Sequence, residues 1–387
     1  MQNFSYYNPT RILFGQGQIA AIAGQIPAGA KVLVTYGGGS IKKNGVYDQV
    51  KAALKDHPWL EFGGIEPNPR YETLMRAVAL VKSEGVDFLL AVGGGSVADG
   101  TKFIAAAARF DGAEPWDILA KHAEVKSAVP LGVVLTLPAT GSESNTFAVI
   151  SRESTGDKLA FGSEHCYPQF AVLDPQTTFS LPPRQVANGI VDAFVHTMEQ
   201  YMTYPAEAPL QDRLAESILK TLIEVGPQTL ASPQDYAARA SQVWSATLAL
   251  NGLIACGVPQ DWATHMIGHE ITAEFGLDHA QTLAVVLPGL WRNRRVEKHA
   301  KLLQYAERIW GIHDGSEEER IEKAIVATEA FFESLGVHTH LGLYGVKDAA
   351  LAPQKIAARL EAHGFTKLGE HGSVMPAVVR EILASRL

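Results

Sequence analysis

Two apolar runs that each end in three glycines and a serine constrain the fold of this chain more than any other feature. They are KVLVTYGGGS (31–40) and FLLAVGGGSVADGTKFIAAAA (88–108). Each reads as a buried strand that stops at a glycine loop and leads into a helical stretch. The theme recurs in LEFGGIEPNP (60–69), a strand running into a proline-rich turn, and in the amphipathic helix YETLMRAVALVKSEG (71–85). It recurs again in VPLGVVLTLPATGSESN (129–145), a strand with a Ser/Thr-rich turn. Regular alternation of this kind predicts a parallel sheet with helices on both faces. Ligands of such sheets bind beyond the carboxyl ends of the strands, where the glycine turns sit.

AVISRESTGDKLAFGS (148–163) reads as a hairpin or loop pair, and FAVLDPQ (170–176) as a last strand before Pro182 and Pro183. From Arg184 onward the chain reads almost wholly as helices. The expected architecture is therefore an α/β parallel-sheet domain over residues 1–181 and an all-helical domain over 182–387. The length of 387 residues suits two or three domains. A net charge of −8, with no block of Lys or Arg, argues against nucleic-acid or anionic-membrane partners. No apolar run reaches the roughly 20 residues of a membrane span, and the N-terminus carries no signal-like pattern. Cys166 and Cys256 have no metal-type spacing and read as buried thiols in a reducing, cytoplasmic setting.

Histidines mark the helical half. In DWATHMIGHEITAEFGLDHAQTLAVVLPGL (261–290), His265 and His269 are four residues apart and share a helical face. A straight helix would carry His279 about 21 Å beyond His265, too far to share one ion that holds imidazole nitrogens at about 2 Å. The chain must turn back. Gly276 can end one helix in the left-handed conformation, and Asp278 can cap the next, so that His279 opens a helix facing the first. Upstream, Asp192 and His196 are again four residues apart on a mostly apolar helix. An acid and three imidazoles make a divalent-metal site, although spacing alone does not choose between His265 and His269. Isolated histidines such as His338, His340, His363 and His371 read as ordinary packed or capping residues.

The loop holding Gly94, Gly95 and Ser96 opens a helix whose amides and dipole can receive a diphosphate. Asp99, on its first turn, can cap amides or take a ribose hydroxyl. The loop lacks the G-x-G-x-x-G pattern, and triple glycines also serve as plain tight turns. Gly38, Gly39 and Ser40 precede Lys42 and Lys43, with no Asp or Glu between Lys31 and Asp48. A carboxylate there would meet the 2′-hydroxyl of NAD, so its absence favours a 2′-phosphate and NADP(H). Thr136, Thr140 and Asn145 can approach the diphosphate and nicotinamide half. Lys158 and Asn68 are further candidates, Asn68 also reading as a plain turn residue.

These motifs together, GGGSVAD, TLPATGSE, the Asp192/His196 pair and HxxxH followed by a third histidine, resemble the iron-type (group III) alcohol dehydrogenases over nearly the whole chain. Within them the NADPH-dependent aldehyde reductase and butanol dehydrogenase-like branch is most similar. The resemblance implies a Rossmann-like dinucleotide-binding domain followed by an all-helical metal-binding domain, the dehydroquinate synthase-like fold, with the active site in the cleft between them. It makes Asp192, His196, His265 and His279 the ligands of one divalent ion, Zn or Fe, and His269 a proton-relay residue near it. It matches Gly38, Gly39, Ser40, Gly94, Gly95, Ser96, Asp99, Thr136, Thr140 and Lys158 to cofactor positions, and it implies a homodimer.

The function expected is hydride transfer between NADP(H) and short-to-medium aldehydes or primary alcohols, the ion polarising the carbonyl. The alternative on the same fold is an NAD-dependent polyol dehydrogenase or a dehydroquinate synthase-like lyase. A zincin-type hydrolase fails, because Met266 stands where H-E-x-x-H needs its glutamate.

Overall fold

A computed structural model describes residues 1–387. In chain order it runs β1 (Arg11–Phe14), β2 (Val32–Tyr36), α1 (Val46–Ala53), β3 (Trp59–Phe62), α2 (Tyr71–Glu84), β4 (Phe88–Gly94), α3 (Gly95–Arg109), α4 (Asp117–Ala120), β5 (Leu131–Leu137), β6 (Phe147–Arg152), β7 (Asp157–Gly162) and β8 (Phe170–Leu173). The helices α5 (Pro183–Tyr201), α6 (Pro209–Ala231), α7 (Tyr236–Ala249), α8 (Ala263–Phe275), α9 (His279–Asn293), α10 (His299–Trp310), α11 (Glu317–Ser334), α12 (Ala352–Ala362) and α13 (Pro376–Ala384) follow.

The first unit comprises Tyr7–Leu181 and Pro233–Asn251. Its six strands are parallel in the order β1-β8-β5-β4-β2-β3. The central strands are buried on both faces, which is why they read as continuous apolar runs. Leu33, Leu89, Ala91, Leu131 and Val133 point into one core, and Val32, Val34, Phe88, Leu90 and Val92 into the other. A Cβ on Gly132 would lie 2.4 Å from the Phe170 ring, so the glycine lets Phe170 cross β5. Phe170 then stacks on Phe88 with ring centroids 6.0 Å apart. Strand β1, too short to read as a strand in isolation, is completed by its register with β8, from Arg11 opposite Phe170 to Phe14 opposite Leu173. Residues 148–163 contain the antiparallel hairpin β6-β7.

The second unit comprises Met1–Tyr6, Pro182–Ser232 and Gly252–Leu387. Its division from the first differs from the simple two-part expectation in two segments. Helix α7, expected within the helical domain, groups with the sheet: Thr247 donates to the buried Glu143 at 2.5 Å, and Trp244 packs edge-on to Phe14 at 6.1 Å. The first residues join the helical unit through a hydrogen bond from the Gln2 N–H to the Gly257 carbonyl at 2.8 Å. A core of Ile267, Ile271, Val285, Val286, Leu290, Ile356 and Ile382 joins α8, α9, α12 and α13.

Candidate metal centre and cofactor loops

Three helices of the helical unit carry the histidines. Helix α5 presents Asp192 and His196, α8 presents His265 and His269, and α9 opens on His279. The reversal between α8 and α9 is made as the sequence predicts: Gly276 takes φ 71° at the end of α8, and Asp278 stands at the N-cap of α9. The Asp278 N–H donates to Gln281 Oε1 at 3.0 Å. Its carboxylate accepts from Arg184 and Asn188 of α5, both at 2.7 Å, tying the start of α9 to the helix of Asp192. A Cβ on Gly268 would lie 2.9 Å from Thr282 Oγ1, so this glycine lets α8 and α9 approach closely.

Four polar groups converge as a result. Asp192 Oδ1 is 3.6 Å from His196 Nε2 and 3.7 Å from Nε2 of both His265 and His279. Donors on a tetrahedron about 2.1 Å from its centre stand about 3.4 Å apart, so this spacing fits one divalent ion. Asp192, His265 and His279 all offer ligand atoms within 4.8 Å of one another, while His196 stands outside that mutual set and approaches it through Asp192. The buried Nε2 of His265 has no hydrogen-bond partner. A buried imidazole nitrogen left so is costly unless a ligand engages it. The donor set of one carboxylate and three imidazoles suits zinc or iron. The ring of His269 flanks the cluster, 5.1 Å from that of His279 and 6.1 Å from that of His265.

On its other side the His265 Nδ1 is hydrogen-bonded to Glu199, whose Oε1 also accepts from the His265 backbone N–H at 3.1 Å. Burial opposes a charge on His265, but Glu199 and Asp192 outweigh it and push the imidazole up to about 9. Burial pushes the Glu199 carboxyl up as well. The sequence reading missed Glu199, although a signal exists: it lies seven residues after Asp192, which is close to two full turns on the same face. A carboxylate behind a ligating histidine fixes its tautomer and orientation. Glu199→Gln is expected to weaken metal binding about 10–100-fold in a chelator competition run above the His265 range, where proton competition no longer differs between the two proteins; undiminished affinity there would reduce Glu199 to a packing role.

In the sheet unit, adjacency of β2 and β4 brings the two glycine loops side by side. A Cβ on Gly37 would lie 3.7 Å from Val97 Cγ2 of α3. Helix α3 begins at Gly95 with no side-chain cap, leaving its first amides to an anion. The Ser96 hydroxyl accepts from the N–H of Asn68, itself at φ 55°, at 3.3 Å. Gly39 takes φ 88° and Ser40 is exposed just after it. Of the two lysines, Lys42 is engaged by Glu61 of β3 at 3.1 Å, a carboxylate that linear reading did not place near this loop, and Lys43 is exposed.

Glycine is required in the β4–α3 loop by its neighbours. A Cβ on Gly94 would meet Leu137 Cβ at 2.9 Å, and one on Gly95 would meet Thr140 Oγ1 at 2.4 Å. This sets the Thr136–Thr140 turn against the start of α3. Gly95→Ala is expected to cost about 1–3 kcal/mol by overpacking and to weaken NADPH binding, measured by denaturant unfolding and cofactor fluorescence.

Asp99 has a different occupation from a ribose contact. Its Oδ1 accepts from Ser142 at 2.5 Å and its Oδ2 from the Val149 N–H at 2.9 Å, while burial pushes its carboxyl up. The neighbouring Lys102, fully buried, donates to Ser142, Asn145 Oδ1 and the Phe147 carbonyl at 2.8–2.9 Å. Burial pulls this lysine down to about 8 against the influence of Asp99. Asn145 also donates to the Leu250 carbonyl at 3.2 Å, so it anchors the turn to the chain after α7. Lys158 is buried on β7, and its charge is felt at Asp99. Asp99, Lys102 and Asn145 thus brace the turn that Thr136 and Thr140 present.

A model of the iron-containing alcohol dehydrogenases matches residues 9–175, and the C-terminal model of the same family matches residues 186–376. The chain belongs to the iron-containing alcohol dehydrogenase family. Among iron-containing alcohol dehydrogenases it is 62% identical over 384 residues to the NADPH-dependent aldehyde reductase YqhD of Escherichia coli, covering 99% of each chain. The crystal structure of E. coli K-12 YqhD superposes with a TM-score of 0.98, at 61% identity over 100% of this chain and 99% of that one. The NADH-dependent butanol dehydrogenase A of Thermotoga maritima superposes with a TM-score of 0.94, at 37% identity over 100% of this chain and 99% of that one.

Proposed function

We propose that the protein is an NADP(H)-dependent aldehyde reductase and alcohol dehydrogenase acting on short-to-medium aldehydes or primary alcohols. The observation that carries this reading is the convergence of three imidazole Nε2 atoms on one oxygen of Asp192. The 62% identity to an NADPH-dependent aldehyde reductase supports it. Asp192, His196, His265 and His279 would hold one divalent ion, iron by the family's name and zinc as the competing choice on affinity grounds. Bound there, the ion supplies Lewis-acid polarisation of the aldehyde carbonyl. The two glycine loops would receive NADPH, which would supply the hydride.

The chain's own residues orient and move protons. Glu199 accepts from Nδ1–H of His265 and so orients the ring with Nε2 toward Asp192. His269, beside the cluster but outside its four donors, delivers a proton from its imidazole to the product oxygen. Gly38, Gly39 and Ser40 receive the adenosine end, while Gly94, Gly95 and Ser96 receive the diphosphate through the open amides of α3. Asn68, hydrogen-bonded to Ser96, shapes the edge of that loop.

Relatives' names point to both cofactors, NADPH for the E. coli reductase and NADH for the T. maritima enzyme. Preference for NADPH is supported here by the exposed Ser40 and Lys43, while Glu61 of β3 takes up Lys42. A panel of aldehydes with each cofactor tests the reading. A hydrogen bond to a charged phosphate contributes about 1.5–3 kcal/mol, so kcat/KM should favour NADPH by about 10–150-fold. Equal use of NADH would remove the 2′-phosphate assignment, and no aldehyde reduction with either would remove the function.

A homodimer is supported by β1, an edge strand with Phe14 and Trp244 exposed beside it. Light scattering of the purified protein decides that point. No helix is long and apolar enough to cross a membrane, and the buried free thiols Cys166 and Cys256 suit a reducing cytoplasm.

A further inference from the structure

We infer that Lys298 is a positioning residue for the metal centre, its buried ammonium clamping the end of α5 that carries Glu199 to the start of α8 that carries His265. The inference rests on the metal reading above. Lys298 is 2% exposed, immediately before α10, and touches none of the four converging donors. An ammonium has three N–H donors. One goes to the Met202 carbonyl at 2.8 Å, at the C-cap of α5, where a helix leaves carbonyls unsatisfied. Another goes to Asp261 Oδ2 at 2.7 Å, and the third to the Glu370 carboxylate, with oxygens at 2.8 and 3.0 Å.

Asp261 passes this hold to α8. Its Oδ1 accepts from the N–H of Ala263, the first residue of α8, at 2.9 Å. Its own N–H donates to the Glu199 carbonyl at 2.8 Å. Each partner of the ammonium thus belongs to a different segment: the end of α5, the approach to α8, and the loop between α12 and α13. The side chains of Asp261 and Glu370 are only 3% and 6% exposed.

Register is what such a clamp supplies. The convergence of His265 Nε2 on Asp192 Oδ1 requires α5 and α8 to be fixed along their axes, and a slip of one residue moves a side chain by about 1.5 Å. That is enough to spoil coordination. Buried ion pairs add little stability over well-packed apolar replacements, so stability alone is a weak reason for this one. Charge within the cluster is nearly balanced. Burial acts to raise both acids, yet Lys298 holds Asp261 below its ordinary range, while burial and Asp261 push Glu370 up to about 7.

The test uses full-length Lys298→Met, together with the double variant Lys298→Met/Asp261→Asn, which removes one charge of each sign and serves if the single variant does not fold. Circular dichroism reports the fold, NADPH fluorescence the sheet unit, chelator competition the Zn²⁺ affinity, and visible absorption of Co²⁺-loaded protein the ligand geometry. The folded variant is expected to bind NADPH as before, to lose about 10–100-fold in Zn²⁺ affinity, and to show shifted Co²⁺ bands. A folded variant with wild-type Zn²⁺ affinity and wild-type Co²⁺ bands overturns the clamp. Wild-type protein that takes up neither ion overturns the metal reading itself, and the clamp with it.

Discussion

His265→Ala is expected to lower NADPH-dependent butanal reduction by about 10³-fold or more, because the charge developing on the carbonyl oxygen loses a stabilisation of about 4 kcal/mol or more. The fold should survive. His265 is buried, and its removal strands Glu199, a carboxyl that burial already pushes toward its neutral form. Leaving one buried polar group unsatisfied costs about 1–3 kcal/mol, less than a protein of this size holds. NADPH binding should persist, since the glycine loops lie in the other compact unit. Metal content after dialysis, circular dichroism and cofactor fluorescence separate these effects. Full activity in a folded variant would sink the metal mechanism.

Metal uptake should depend steeply on pH, and the sign follows from His265. In the metal-free protein Glu199 and Asp192 overcome burial and hold its imidazole up to about 9, so at neutral pH Nε2 carries a proton. An ion must displace that proton. Apparent affinity should therefore rise about tenfold per pH unit below about 9, or about 100-fold between pH 6.5 and 8.5. The rise should flatten above the His265 range. Titration of metal-free protein with Zn²⁺ in a competing chelator, at a series of pH values, measures the slope. A flat profile would mean that His265 is already neutral and that Glu199 does not govern it. In Glu199→Gln the slope should shift to lower pH, because the carboxylate that raises the imidazole is gone.

Much of this site can be read along the chain because helices and turns are local. A four-residue spacing places Asp192 beside His196 whatever else the protein does, since the helical repeat is set by the backbone. Gly276 and Asp278 reverse the chain for equally local reasons, left-handed φ and helix capping. The apolar runs before each glycine loop required burial on two faces, and hence a parallel sheet.

The tertiary structure decided what depends on the register between distant elements. His265 and His269 share a face, and only the packing of α5 and α8 on α9, the latter eased by Gly268, puts His265 rather than His269 opposite Asp192 Oδ1. Glu199 and Lys298 are single polar residues in helical or loop sequence until that packing closes around them. Asp99 had the position for a ribose contact, but hydrogen bonds from Ser142 and Val149 occupy its carboxylate. Glu61 reaches Lys42 because β3 lies beside β2, a neighbour relation that no spacing along the chain encodes. Local spacing therefore pointed to candidate ligands and loops while leaving His265 and His269 equivalent, and strand order and helix register, which depend on contacts across the fold, selected the partners that surround them.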